Sequence, residues 1–289
     1  MSNLQLRLLS TAVLLPIVIG AFVMGGWVMR GVLLFAAAAS FFEYGAVVAK
    51  EDRLARAILV VAGVAVTLIG MVTVSPVIAV LVLQIAFFAL AALFVLRPGT
   101  DLAVTFRSFA LLGFSVLWIA PGVSALGRLR DLGDGLVQQS GGALSASAAA
   151  CFLLVALGGT WANDSAAYFA GRFLGKHKMS GAISPKKTWE GFVGGIFGPF
   201  VFLFVGKMFF PGTFAPLSTT DIVVVSLPIA VLGPIGDLCE SLWKRAYDVK
   251  DSGNLIPGHG GMLDRVDAVF FVAPWVLAYF VGVRPLLLG

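Results

Sequence analysis

Between Arg56 and Arg97 the chain runs for forty residues without a charged side chain. A helix that is apolar on every side belongs in lipid or in a fully buried core. About 20 such residues already cross the hydrocarbon layer of a bilayer. The run is twice that length and divides at Ser75-Pro76, giving two spans. Shorter windows of the same kind cover about 8–29, 31–49, 108–127, 143–170, 191–210, 221–243 and 265–284, with charge or turn clusters between them. The separators include Lys50-Glu51-Asp52-Arg53, Arg97-Pro98-Gly99 and the polar stretch Arg128–Gly142, which reads as a loop. The whole chain is 59% hydrophobic and 12% charged, against about 25% charged in a soluble domain. The expectation is an all-α polytopic membrane protein with about nine transmembrane helices. It is read as one membrane domain over residues 1–289, with N-terminal helices over 1–142 and the remaining helices and polar loops over 143–289.

The first window follows Arg7 and has no small-residue cleavage site, so it reads as a retained span and not as a signal peptide. Nine spans put the termini on opposite sides. With the N-terminus cytoplasmic, fourteen Lys and Arg residues fall on the cytoplasmic side and five outside, with Arg265 opening the ninth span. The positive-inside rule therefore places the N-terminus and the polar loops 171–190 and 246–263 in the cytoplasm, and 128–142 outside. Cys151 and Cys239 sit in apolar segments without metal-ligand spacing and read as inert buried thiols.

Ionisable residues inside spans are costly and point to function by default. They cluster in the C-terminal half. Asn163-Asp164-Ser165 closes the sixth span and leads into GRFLGKHKMSGAISPKKTWEG, residues 171–191. Lys178, Ser184 and the adjacent Lys186 and Lys187 make this loop suited to a triphosphate, because lysines are mobile point charges. The start of the seventh helix adds free N–H groups that favour an anion. A positive-inside loop with no ligand is the competing reading. No GxxxxGK[ST] phosphate loop occurs.

Asp237, Glu240 and Ser241 share one face of the eighth span, with Lys244 one turn further on and Arg245 after it. Asp264 and Asp267 open the ninth span, with Arg265 between them. The connector KDSGNLIPGHGG carries Lys250 and His259. Unpaired carboxylates at that depth tend to protonate; a divalent cation keeps them ionised. All-oxygen ligands, drawn from Asp237, Glu240, Asp264 and Asp267, favour Mg²⁺ over Zn²⁺. Basic loops beside such carboxylates suit polyphosphate chemistry. Structural ion pairs, such as Asp237 with Lys244, are the alternative. His259 reads either as a general base or as a loop residue bonding the backbone or a phosphate. Glu43, alone in the second span, is either a structural partner or a site residue.

At these residues the sequence resembles a known family. SLWKRAYDVKDSGNLIPGHGGMLDRVD, residues 241–267, resembles the signature of phosphatidate cytidylyltransferases: Ser241, Lys244, Arg245, Lys250, Asp251, His259, Gly260, Gly261, Asp264, Arg265 and Asp267 all match. Trp243 departs from the pattern's aliphatic or Phe residue, and Ser165-Ala166 stands where Thr-Gly often follows Asn-Asp. The resemblance is strong over about 160–270. It implies that CTP and phosphatidate give CDP-diacylglycerol and pyrophosphate in phospholipid biosynthesis. It also implies Mg²⁺ with a second, monovalent cation such as K⁺, on the acids matching Asp237 and Asp264. The expected partners are CTP and phosphatidate in the bilayer, with a homodimer in view and no nucleic acid. The expected location is a cytoplasmic membrane of bacterial type.

The corresponding mechanism is direct displacement, with a phosphatidate oxygen attacking the α-phosphorus of CTP. Asp237, Asp264 and Asp267 are expected at Mg²⁺, with Glu240 a further candidate. Asn163, Asp164, Lys178, Ser184, Lys186 and Lys187 are expected at CTP. Lys244, Arg245, Lys250, His259 and Arg265 are expected at the lipid phosphate or other phosphates. A CTP-dependent kinase of a polyprenol-type lipid is the alternative enzyme. A transporter is the alternative class. The DGxxAR…GxxxDxxxD pattern of CDP-alcohol phosphotransferases is absent.

Overall fold

The computed structural model describes residues 3–73, 75–97 and 99–285; Pro98, within the expected fourth-to-fifth turn, lies outside them. Among the described residues, nine helices are long and apolar enough to cross a membrane. They are α1 (Asn3–Met24), α2 (Gly26–Val48), α3 (Arg53–Val72), α4 (Pro76–Leu96), α5 (Leu102–Gln139), α6 (Cys151–Leu174), α7 (Trp189–Phe209), α8 (Thr219–Ala246) and α9 (Leu263–Ala278). A 3-10 turn, Ala146–Ala150, leads into α6, and a π-helical turn, Tyr279–Val283, extends α9. The one sheet among the described residues is a two-stranded hairpin, β1 (Lys178–Ser180) and β2 (Ser184–Thr188). An all-α polytopic architecture is therefore what the chain adopts.

Two boundaries differ from those expected. The first span ends at Met24, not near Met29, because Gly25 and Gly26 take positive φ of 60° and 49°. Only glycine enters that region without strain. The stretch Arg128–Gly142 is not a loop over most of its length: α5 continues to Gln139. Leu129, Leu132 and Leu136 supply an apolar stripe at helical spacing. Arg130 pairs one turn on with Asp134 and donates to the Ala149 carbonyl at 3.3 Å. At 1.5 Å per residue, α5 is about 57 Å long, well beyond the roughly 30 Å hydrocarbon layer.

The chain divides into two compact units, Met1–Gly127 with Tyr247–Val266, and Arg128–Ala246 with Asp267–Gly289. In the first, α1 packs on α2, α2 on α3 and α3 on α4. Phe41, Tyr44, Leu59, Leu90, Leu112 and Ile119 fill its core, and Ser124 of α5 donates to the Thr67 carbonyl at 2.9 Å.

In the second unit, α6 and α7 make the most extensive helix pairing, and α8 packs on both. The α6–α7 seam is lined with small residues. A Cβ on Gly198 would strike the Ala162 carbonyl, and one on Gly194 the Ala170 methyl. One on Gly191 would come within 3.2 Å of Gly171 Cα. Lipid offers no hydrophobic drive for helix association, so close backbone approach through small residues supplies the attraction instead. The far end of α8 is held by buried Asp221, which accepts from Tyr279 Oη at 2.8 Å, Arg284 Nη2 at 3.0 Å and Ser218 N at 2.7 Å.

Candidate active site

In the second unit the hairpin sits at the α6–α7 end of the fold. Lys178 pairs with Thr188 across the strands and Ser180 with Ser184. Thr188 then caps α7, its hydroxyl accepting from Gly191 N at 3.1 Å. Glu190, in the first turn of the helix, reaches back to Lys176 N at 3.0 Å, His177 N at 3.2 Å and His177 Nδ1 at 2.6 Å. The base of the hairpin is thus tied to the helix that follows it. Successive strand residues face opposite ways, so the two lysines of β2 differ. Lys187 is half-buried and reaches Asp237 Oδ2 at 2.8 Å and the Pro234 carbonyl at 3.4 Å, while Lys186 is exposed.

A cavity of about 650 Å³ lies between the hairpin and helices α6, α7 and α8. Asp164, Ser184, Lys186, Lys187 and Asp237, all named from the sequence, line it. Tyr168, Arg172, Met179 and Phe192 also line it and were not picked out from the sequence. A signal for two of them was present: Asp164, Tyr168 and Arg172 recur every four residues, one face of α6. Arg172 donates to Tyr168 Oη at 2.8 Å.

Asn163 is buried and binds helix to helix, its amide donating to the Gly195 carbonyl at 2.9 Å. It also approaches the Ala230 carbonyl at 3.5 Å. That carbonyl lacks its own helical donor because Pro234, four residues on, has no N–H. Lys178 is exposed on β1 and is not among the residues lining the cavity.

Below Asp237, Lys244 Nζ pairs with buried Glu240 at 2.9 Å, and the carboxyls of Glu240 and Asp267 are within hydrogen-bond reach. Gly236 permits this approach of α8 to α9: a Cβ there would lie 3.0 Å from Ala268 Cα and 3.1 Å from the Asp267 carbonyl. Ser241 donates to Asp237 Oδ1 at 3.3 Å, and Arg245 Nε lies 3.4 Å from the Ile183 carbonyl in the hairpin turn. Asp164, Asp237 and Asp267 are close enough to act on one another electrostatically.

Among the described residues no three Asp, Glu, His or Cys side chains form a metal-binding group. Mg²⁺ does not require one. It is commonly held by one or two carboxylates, several waters and the phosphates of a substrate. The oxygen-only pair Asp237 and Asp267 fits that mode.

In the first unit, Lys250, His259 and Arg265 line a second cavity of about 300 Å³ together with Arg7, Asp251 and Asn254. Arg265 Nε donates to the His259 carbonyl at 2.9 Å, and His259 Nδ1 lies 2.9 Å from Ser10 Oγ. Arg7 Nε donates to the Gly258 carbonyl at 2.9 Å. Asp264 accepts from Ser252 N at 2.9 Å, Ser252 Oγ at 3.0 Å and Gly261 N at 2.9 Å.

Comparison with known proteins bears on this arrangement. A model described as the cytidylyltransferase family matches residues 5–283. A phosphatidate cytidylyltransferase of Bacillus subtilis is 47% identical over 116 residues, 40% of this chain and 42% of that protein. Proteins of the same name from Haemophilus influenzae and Staphylococcus saprophyticus are each 42% identical. The first matches over 121 residues, 42% of either chain, and the second over 123, 43% of this chain and 46% of that one. In each case the matched segment takes in less than half of the relative's own length.

Proposed function

Because the chain belongs to the cytidylyltransferase family, we propose that it joins CTP to phosphatidate, giving CDP-diacylglycerol and pyrophosphate. The observation that carries this reading is the second unit's cavity. There Lys186, Lys187 and Arg172 meet Asp164 and Asp237 above an apolar lining.

The phosphatidate phosphate oxygen attacks the α-phosphorus of CTP. A new P–O–P bond forms as the α–β bond breaks, and pyrophosphate leaves. Lys187 exchanges Asp237 for a CTP phosphate, and Lys186 joins it from the open side of the strand. Lys244 and Arg245, at the end of α8, hold the lipid phosphate at headgroup depth, where long side chains can snorkel. The cations of the first unit's cavity, Lys250, Arg265 and Arg7, suit a phosphate group as well. Asp237 and Asp267 would hold Mg²⁺, which would supply neutralisation of the negative charge that develops during the transfer.

The test is to supply the purified full chain with CTP, phosphatidate and Mg²⁺, with and without K⁺. A CDP-lipid and pyrophosphate are expected in equal amounts, and EDTA is expected to stop the reaction. Release of CDP without a CDP-lipid would replace the proposal with a lipid kinase, and full activity in EDTA would remove the metal.

The same reading puts the hairpin and the connector 247–262 on the cytoplasmic side, supported by the fourteen-to-five division of basic residues. In a variant with Cys151 and Cys239 replaced by alanine, Gly181→Cys and Asn254→Cys are expected to react with a membrane-impermeant thiol reagent only in opened cells. Both positions are exposed. Reaction in intact cells overturns the orientation.

A further inference from the structure

Glu43 is buried in α2 of the first unit, 4% exposed, yet its carboxylate meets three donors, all more than 200 residues away in sequence. Oε1 accepts from Met262 N at 2.9 Å, and Oε2 accepts from Leu263 N at 3.0 Å and from Ser252 Oγ at 3.1 Å.

Met262 and Leu263 are the residues at which α9 begins. The first N–H groups of a helix have no intrahelical acceptor, and a Ser, Thr, Asp or Asn at the cap position normally supplies one. Here the cap position is Met262, which has no oxygen to offer. A carboxylate from another helix does the capping, and its negative charge also suits the positive end of the helix dipole. The next free N–H inward along the connector, that of Gly261, goes to Asp264.

The connector is shaped around this side chain. A Cβ on Gly253 would lie 2.7 Å from Glu43 Oε1, and one on Gly261 would lie 2.6 Å from Oε2. Ser252 Oγ stands 3.1 Å from Glu43 and 3.0 Å from Asp264. It has one proton and so donates to one carboxylate at a time. Ser252, Gly253 and Gly261 therefore form a socket whose occupant is Glu43.

We propose that Glu43 is a positioning residue: it fixes the connector 251–261 and the first turn of α9 so that Asp264 and Arg265 are presented in one geometry. The inference deepens the cytidylyltransferase reading and rests on it only for its kinetic arm.

Two measurements on the full chain test it. Glu43→Gln keeps the size of the side chain but sets an NH₂ group against backbone donors. It is expected to raise hydrogen exchange at the Met262 and Leu263 amides at least about tenfold. It is also expected to lower kcat about tenfold or more, while KM for CTP changes less than about threefold. Glu43→Asp, which retains the carboxylate, is expected to recover part of the kcat. Ser252→Ala, a milder change that leaves every backbone donor in place, is expected to shift both readouts in the same direction by less.

Unchanged exchange at Met262 and Leu263 in Glu43→Gln overturns the socket. Raised exchange with wild-type kcat overturns the positioning role. Equal loss in Glu43→Gln and Glu43→Asp does the same, because the charge would then not matter. If the wild-type chain makes no CDP-lipid, the exchange result still decides the socket, so the failure of the activity and the failure of this inference are told apart.

Discussion

Asp237→Asn, in the full chain, is expected to lower CDP-lipid formation by about a hundredfold to a thousandfold while leaving insertion and folding intact. The size follows from what the residue does in the proposed reaction. A divalent cation contributes several kcal/mol of charge stabilisation to a phosphoryl transition state, and each tenfold in rate is about 1.4 kcal/mol. The change to an amide keeps the shape and removes one negative charge and half of the ligand pair. The cost to stability is small by comparison. The pair that Asp237 forms with Lys187 is partly exposed, its side chains 37% and 24%, and an exposed pair contributes about 1 kcal/mol or less. Turnover by the purified variant, with thermal unfolding in detergent as the control, checks this. A variant with more than about a third of wild-type activity removes Asp237 from the reacting centre.

The spans were legible because lipid imposes a single requirement on them, length without charge, and that requirement is written residue by residue. Their ends were less so. Arg30-Gly31 and Gly25-Gly26 are both plausible breaks on composition, and the chain turns at the second pair, where two consecutive residues take positive φ values that glycine adopts without strain. Arg128–Gly142 looked like a loop because its charges outnumber those of any span. Its leucines nevertheless recur at helical spacing, and its Arg130 and Asp134 neutralise one another. In both cases local geometry overrode a count.

The candidate site was legible as composition and only partly as geometry. The polar residues of the second unit's cavity come from one charged loop and from faces of two helices, α6 and α8, and of the α6 face only Asp164 was picked out from the sequence. The strand register of 178–188 was not visible, since Pro185 and two lysines carry no alternation of apolar and polar residues. That register makes Lys187 unlike Lys186. Gly236, which brings Asp267 close to α8, has no signal at all without the neighbouring helix. The partner of Glu43 was equally hidden, because a cap supplied from more than 200 residues away leaves no local spacing to read.

The inequality of the two lysines sharpens the remaining prediction. Lys187→Ala is expected to raise the KM for CTP about tenfold to a hundredfold, the worth of a hydrogen bond to a charged group. KM for phosphatidate is expected to rise much less. Lys186→Ala should raise the CTP constant by a smaller factor, since Lys186 is exposed and lacks the anchoring contacts to Asp237 and the Pro234 carbonyl that position Lys187. Arg245→Ala should act in the opposite sense and raise KM for phosphatidate more than that for CTP. Its guanidinium lies at the end of α8, and a planar fork holds a phosphate in register where a lysine offers a point charge. Both substrates meet at one phosphorus, so each variant shifts both constants to some degree, and the ratio of the two shifts is the quantity to compare. Steady-state kinetics with each substrate varied against a saturating level of the other gives that ratio. Equal shifts in Lys187→Ala and Arg245→Ala would dismiss the division between a nucleotide-binding hairpin and a lipid-binding helix end, and would leave the two groups as one shared phosphate clamp.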